Sequence, residues 1–450
     1  MSWLLAHGIG GIRDLPVPRY VFFYGAAGVL VISFAALAFL WRRPVLAGRA
    51  AGRPLPEGLQ RVLLSPVLRV LVGVPSVALL VVLWLGALVG RDNSGVNVTP
   101  TFVYVYFWIG MPLLVAALGN VWSVISPWKA AADGAGWLAR RDSPPFEYPE
   151  RLGRWPAAVL LLAFATLELT YPNPSDPRAL ALAIAIYSVI TWFGAILFGG
   201  EVWFRNGDGF SVYFMLLARI SPFARREEDG RLVVRTPFSG LSISDATPGM
   251  TVFVAVMLGS TFFDGFSRTS IWQNRFYDVQ VDLLDRPSLA DLVGQLMSLG
   301  GLLLAVTFIA LAFRLAVRGT ETIAERRDLA REFVDSLIPI TLVYVIAHYF
   351  SLLLYQGEVG VKLLSDPWGR GWDLFGTRDF QPNFTFLTPH TIWYVQVAAL
   401  ITGHIAGLAV AHDRTVGLFR SARMALWAQY PMLVLMVLYT VGGLWVLSQG

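Results

Sequence analysis

Residues 387–414 read LTPHTIWYVQVAALITGHIAGLAVAHDR. The run is mostly apolar and longer than the roughly 20 residues a helix needs to cross a bilayer. It also carries His390, His404 and His412, three of the five histidines in the chain. On a helix, the 14 residues from His390 to His404 turn through about 1400°, and the 22 to His412 leave a similar offset of opposite sign, so all three share one stripe. With a rise of 1.5 Å per residue they stand roughly 21 Å and 12 Å apart, too far to ligate one metal ion together. His412, beside Asp413 and Arg414, reads as a solvated or capping residue at the end of the span.

Comparable apolar runs recur along all 450 residues, at 20–41, 70–89, 101–125, 155–171, 180–198, 249–264, 292–315, 333–355, 389–412 and 425–448. The chain is 56% hydrophobic and only 14% charged, with a mean hydropathy of +0.59. A soluble domain carries about 25% charged residues. The fold class that follows is all-α: one polytopic transmembrane helix bundle over residues 1–450, with about ten spans. The fourth and sixth runs are short and read as broken or tilted. Residues 1–11 lack the charged start of a cleavable signal peptide.

Lys and Arg alternate between rich and poor connections. Of the 35, 25 fall on one side and 10 on the other when Arg314 is given to the rich side. Cytoplasmic loops carry this excess, so both termini are expected outside. Only Lys129 and Lys362 are lysines, against 33 arginines, a bias of high-GC bacteria, which places the chain in such a cell's plasma membrane. The net charge of +5 is ordinary for arginine-rich inner loops and does not indicate a nucleic-acid partner. The expected partner is the lipid bilayer, with a lipophilic small molecule as ligand. The largest inner loop, 201–248, contains FSVYFMLLARISPF, readable as an interfacial amphipathic helix. EEDGRLVVRTP follows as a small hairpin. The outer loop 356–388 is long for an idle connection.

No cysteine is present, which excludes disulfides, iron–sulfur clusters and thiolate metal sites. There is no P-loop, no GxGxxG after a strand and no GxSxG. What remains is polar groups in apolar helices. Thr341, Tyr344, His348, Ser351 and Tyr355 form one helical stripe that should face the bundle, because polar groups facing lipid are costly. His348 and His390 fall at similar depth near the outer side. Asp264 and Glu168 end the sixth and fourth spans there, and His7 lies outside. His348, His390, Asp264 and His7 are therefore the candidate ligands for a divalent metal, zinc or copper or iron. A single haem between His348 and His390 fits the spacing, but two haems do not. On the inner side Glu201, Arg205 and Asp208 form a second polar group, with Glu201 and Arg205 spaced as a helix-end ion pair.

Taken together, AHGIGGIRDLPVP, GNVWSVISPW, GDGFSVYFMLLARISPF, STFFDGFSRT, AHYFSLLLYQG and GHIAGLAVAHDR resemble a bacterial membrane protein family labelled fenitrothion hydrolase. The resemblance runs over nearly the whole chain. It implies hydrolysis of a lipophilic organophosphorus ester and carries over no residue roles. A metal at His348, His390 and Asp264 would suit that chemistry as a Lewis acid. The other readings of the same residues are a transporter or permease, and an accessory or redox subunit.

Overall fold

The computed structural model describes residues 19–139, 143–245, 247–419 and 421–449. The bundle is built from α1 (Arg19–Leu40), α2 (Pro66–Val89), α3 (Val98–Leu118), α4 (Trp155–Thr170), α5 (Pro177–Phe198), α6 (Gly209–Ala218), α7 (Met250–Phe266), α8 (Ser270–Asp282), α9 (Pro287–Ala324), α10 (Ile338–Ser365), α11 (Pro389–Leu418) and α12 (Tyr430–Leu447). Each of the ten apolar runs contains a helix. Among the described residues eight helices are long and apolar enough to cross a membrane, or nine if α7 and α8 count as one bent span. The chain is an all-α, multi-pass integral membrane protein.

Burial sorts the helices. The best apolar windows of α1 and α2 are only 17% and 22% buried, and Val67, Val70, Leu71 and Val74 of α2 point outward, as lipid-facing residues do. By contrast, 13 of the 17 residues of α7 are buried, and α7 packs against α4, α9, α10 and α12. A helix apolar all round belongs in the middle of a bundle.

α6 departs from expectation. FSVYFMLLARISPF predicts an interfacial amphipathic helix, but nine of the ten residues of α6 are buried. Phe210, Tyr213 and Phe214 pack into an aromatic cluster with Phe107, Trp108 and Trp122. Its large side chains point in every direction, so it has no polar face to turn to water.

α10 and α11 make the closest helix pair. Gly403 and Gly407 have the small-xxx-small spacing that lets membrane helices approach. A Cβ on Gly403 would come within 2.1 Å of Val343, and one on Gly407 within 2.6 Å of the Ser336 carbonyl. α10 runs on to Ser365, so the first ten residues of the expected outer loop are helix. The rest docks onto the α2–α3 connection, with Val98 N–H donating to the Pro367 carbonyl and Trp368 Nε1 to that of Val82. Opposite, β2 (Phe223–Arg225) and β3 (Leu232–Val234) pair antiparallel, and β1 (Arg53–Pro54) adds to β3. Segments of two Arg-rich connections thus meet in this small sheet, as segments of two Arg-poor ones meet at Pro367 and Trp368.

α4 and α7 have 16 and 17 residues. At 1.5 Å each they span about 25 Å, short of a hydrocarbon core of about 30 Å. α10 passes 17 residues beyond His348. The ends of α4 and α7 therefore stop inside the bundle, and the chain turns there: α7 and α8 meet at 71° across a short break. Non-helical backbone at such depth is tolerated only when protein surrounds it.

A buried carboxylate–histidine site

Asp264 lies in the last turn of α7 and is 2% exposed. His348 Nε2 lies 2.7 Å from its Oδ2, and the Tyr349 hydroxyl donates to the same oxygen at 2.6 Å. Arg268 Nη2, one turn on in the break after α7, reaches Oδ1 at 3.1 Å. His348 and Tyr349 are consecutive, so they project about 100° apart from α10 and straddle the carboxylate. Their rings meet edge to face at 4.7 Å. The carboxylate sets the imidazole's tautomer: an ionised acceptor requires Nε2–H, which leaves the Nδ1 lone pair free. Among the described residues Nδ1 has no hydrogen-bond partner, and the His348 side chain is 17% exposed. An imidazole oriented by a carboxylate with its other nitrogen open is arranged to take a proton.

A second carboxyl stands beside the first. Glu168, in the last turn of α4, is within electrostatic reach of Asp264 and Arg268. Facing it, residues 102–110 of α3 form a π-helix. This geometry is rare and recurs at functional sites. It carries Tyr104, whose hydroxyl donates to the Pro174 carbonyl at 2.8 Å, and Trp108, which stacks on Tyr213. The indole N–H of Trp108 turns toward Glu168 but makes no hydrogen bond among the described residues.

The remaining candidates are dispersed. His390 is exposed in the first turn of α11, and among the described residues it forms no three-membered ligand group with His348 and Asp264. His7 lies outside the described residues. Tyr344 donates to the Tyr439 carbonyl at 3.0 Å and ties α10 to α12. His404 is fully buried in α11, with Nδ1 on the Leu400 carbonyl at 2.8 Å. His412, expected as a solvated or capping residue, is 3% exposed: Gln429 and the Trp41 carbonyl hold its two nitrogens. Glu201 and Arg205 do not pair with each other. Glu201 meets Lys129 at 2.8 Å and Arg205 meets Glu227 at 2.7 Å. Asp208 caps α6 through the Ser211 N–H and accepts from Tyr187 and Thr191. Tyr349, Arg268 and Trp108 are members of the site that the sequence reading passed over. The four-residue spacing of Asp264 and Arg268 was the one available signal.

Among the described residues no three His, Asp, Glu or Cys side chains stand close enough to hold a metal ion. His348 Nε2 faces Asp264, so Nδ1 is the nitrogen left open. Comparison with protein-family models, curated proteins and solved structures returns no match to this chain.

Proposed function

We propose that this integral membrane protein is a hydrolase of lipophilic organophosphorus esters, with His348 as general base and Asp264 as the group that orients it. The supporting observation is the 2.7 Å bond between His348 Nε2 and Asp264, with Nδ1 left open. The choice of ester rests on the sequence resemblance. Water donates a proton to His348 Nδ1 as its oxygen bonds to phosphorus. The phosphorus–oxygen bond to the aryl group breaks, and the aryloxide leaves with the electron pair. The proton on Nδ1 then passes to solvent or to the aryloxide. A site with the Arg-poor connections on its side faces outward, where a lipophilic ester enters from the outer leaflet.

Membranes containing the protein are expected to release a nitrophenolate from fenitrothion, followed by absorbance against control membranes. His348→Ala and Asp264→Asn should each lower the rate by about 10²-fold or more, the usual worth of a positioned base. His390→Ala should leave it unchanged. Loss of turnover on chelation would overturn the dyad as sole activator of water.

The 71° break between α7 and α8 favours a second reading, proton-coupled transport, because broken helices at depth mark transporter sites. Proteoliposomes distinguish the two: a transporter acidifies or alkalinises the lumen on substrate addition without releasing a phenol.

A further inference from the structure

Five acidic side chains are buried among the described residues: Glu168, Asp208, Asp264, Asp335 and Asp413. Four of them are saturated with donors. Asp208 accepts from Tyr187, Thr191 and the Ser211 N–H. Asp264 accepts from His348, Tyr349 and Arg268. Asp335 takes both arms of Arg219. Asp413 takes the Trp41 indole and the N–H groups of Val45, Leu46 and Ala47. Glu168 differs. It is 8% exposed, and the donors turned toward it among the described residues are the Trp108 indole, which completes no hydrogen bond, and the Tyr349 hydroxyl, which is committed to Asp264.

The polar and charged groups within electrostatic reach of Glu168 come from other helices. Tyr104 and Trp108 face it from α3, Tyr213 from α6, Asp264 from α7, Arg268 from the break and Tyr349 from α10. Tyr349 has one hydroxyl proton, and that proton is on Asp264. Arg268 is also engaged by Asp264, and the negative charge of Asp264 opposes a second one beside it. An ionised carboxylate without donors in an apolar bundle is unfavourable, whereas a neutral acid needs only an acceptor. The Tyr349 oxygen, which keeps lone pairs after donating, is such an acceptor.

We infer that Glu168 is a proton-carrying acid of this site, neutral at rest while Asp264 is ionised. The two carboxyls then divide the labour, as paired carboxyls in different surroundings do: Asp264 fixes the base, and Glu168 holds an exchangeable proton for the aryloxide oxygen. That role rests on the acid/base reading of the dyad. Atoms balance: the O–H bond of Glu168 breaks as the leaving oxygen gains its proton, the proton that His348 took from water passes to solvent, and solvent returns one proton to Glu168.

Infrared spectra of the purified protein in lipid test this without substrate. At neutral pH the wild type should show a carboxylic-acid C=O stretch, apart from the ionised carboxylate bands. E168Q should lack it, and Glu168→Asp should shift it. A wild type with no such band overturns the inference, as does a band that survives unchanged in E168Q or in Glu168→Asp if E168Q does not fold. The band without phenol release leaves the Glu168 assignment standing and removes the ester reading. Phenol release without the band removes the assignment alone.

Discussion

His412 and Asp413 show how far a polar residue's meaning depends on what covers it. In sequence His412, beside Asp413, reads as a solvated or capping residue at a helix end. In the fold they are buried 3% and 1% exposed, and they clamp α11 to the segment after α1. Asp413 gathers three successive backbone N–H groups and an indole, and His412 bridges Gln429 and the Trp41 carbonyl. Removing either leaves buried partners unpaired, which costs about 1–3 kcal/mol per orphaned group. His412→Ala is therefore expected to lower the thermal midpoint of detergent-solubilised protein, and Asp413→Ala to lower it further. Neither should change the pH profile of turnover, because their hydrogen-bond partners, Trp41, Val45, Leu46, Ala47 and Gln429, include no member of the His348 site. A His412→Ala protein as stable as wild type would contradict the clamp.

Among the elements, the α10–α11 crossing sets the position of His348. Gly407→Ala brings a Cβ to 2.6 Å from a backbone carbonyl, a contact that only helix displacement relieves. Overpacking of this kind costs about 1–3 kcal/mol. Both stability and turnover should fall, and Gly417→Ala, which meets nothing closer than 3.7 Å, is the silent comparison. On the Arg-rich face, Arg154 Nη2 meets Asp245 at 2.5 Å. Burial pushes the Asp245 carboxyl up, but Arg154, Thr247 and Arg219 outweigh it and hold it below the usual aspartate value. A carboxyl lowered on folding adds stability at pH above its unfolded value, about 4, and loses it as pH falls through the folded one. Asp245→Asn should therefore lose stability at neutral pH and flatten the acid limb of an unfolding curve below about pH 4. An unchanged acid limb would rule out this ion pair as its source.

At the scale of the molecule, the alternation of Arg and Lys predicts termini outside and the dyad opening outward. The absence of cysteine makes the measurement clean. Single cysteines at Ser94 and Ser448 should react with an impermeant thiol reagent in intact cells, and one at Ser143 should not. The reverse pattern would invert the bundle. Sequence by itself determined the membrane class, the all-α bundle, the places of its helices, the shortness of α4 and α7, and the inward polar stripe bearing His348. Those are consequences of apolar length and helical period, which are local properties. Tertiary structure alone decided that α6 is core rather than surface, that His390 stays out, and that Glu201 and Arg205 find other partners. It also decided that Tyr349 and Arg268 join the expected Asp264–His348 pair, and that the Trp108 indole turned toward Glu168 completes no hydrogen bond. These depend on which helices are neighbours and on how deep two short ones stop, and residues 80 or more positions apart carry no mark of their meeting in the local pattern.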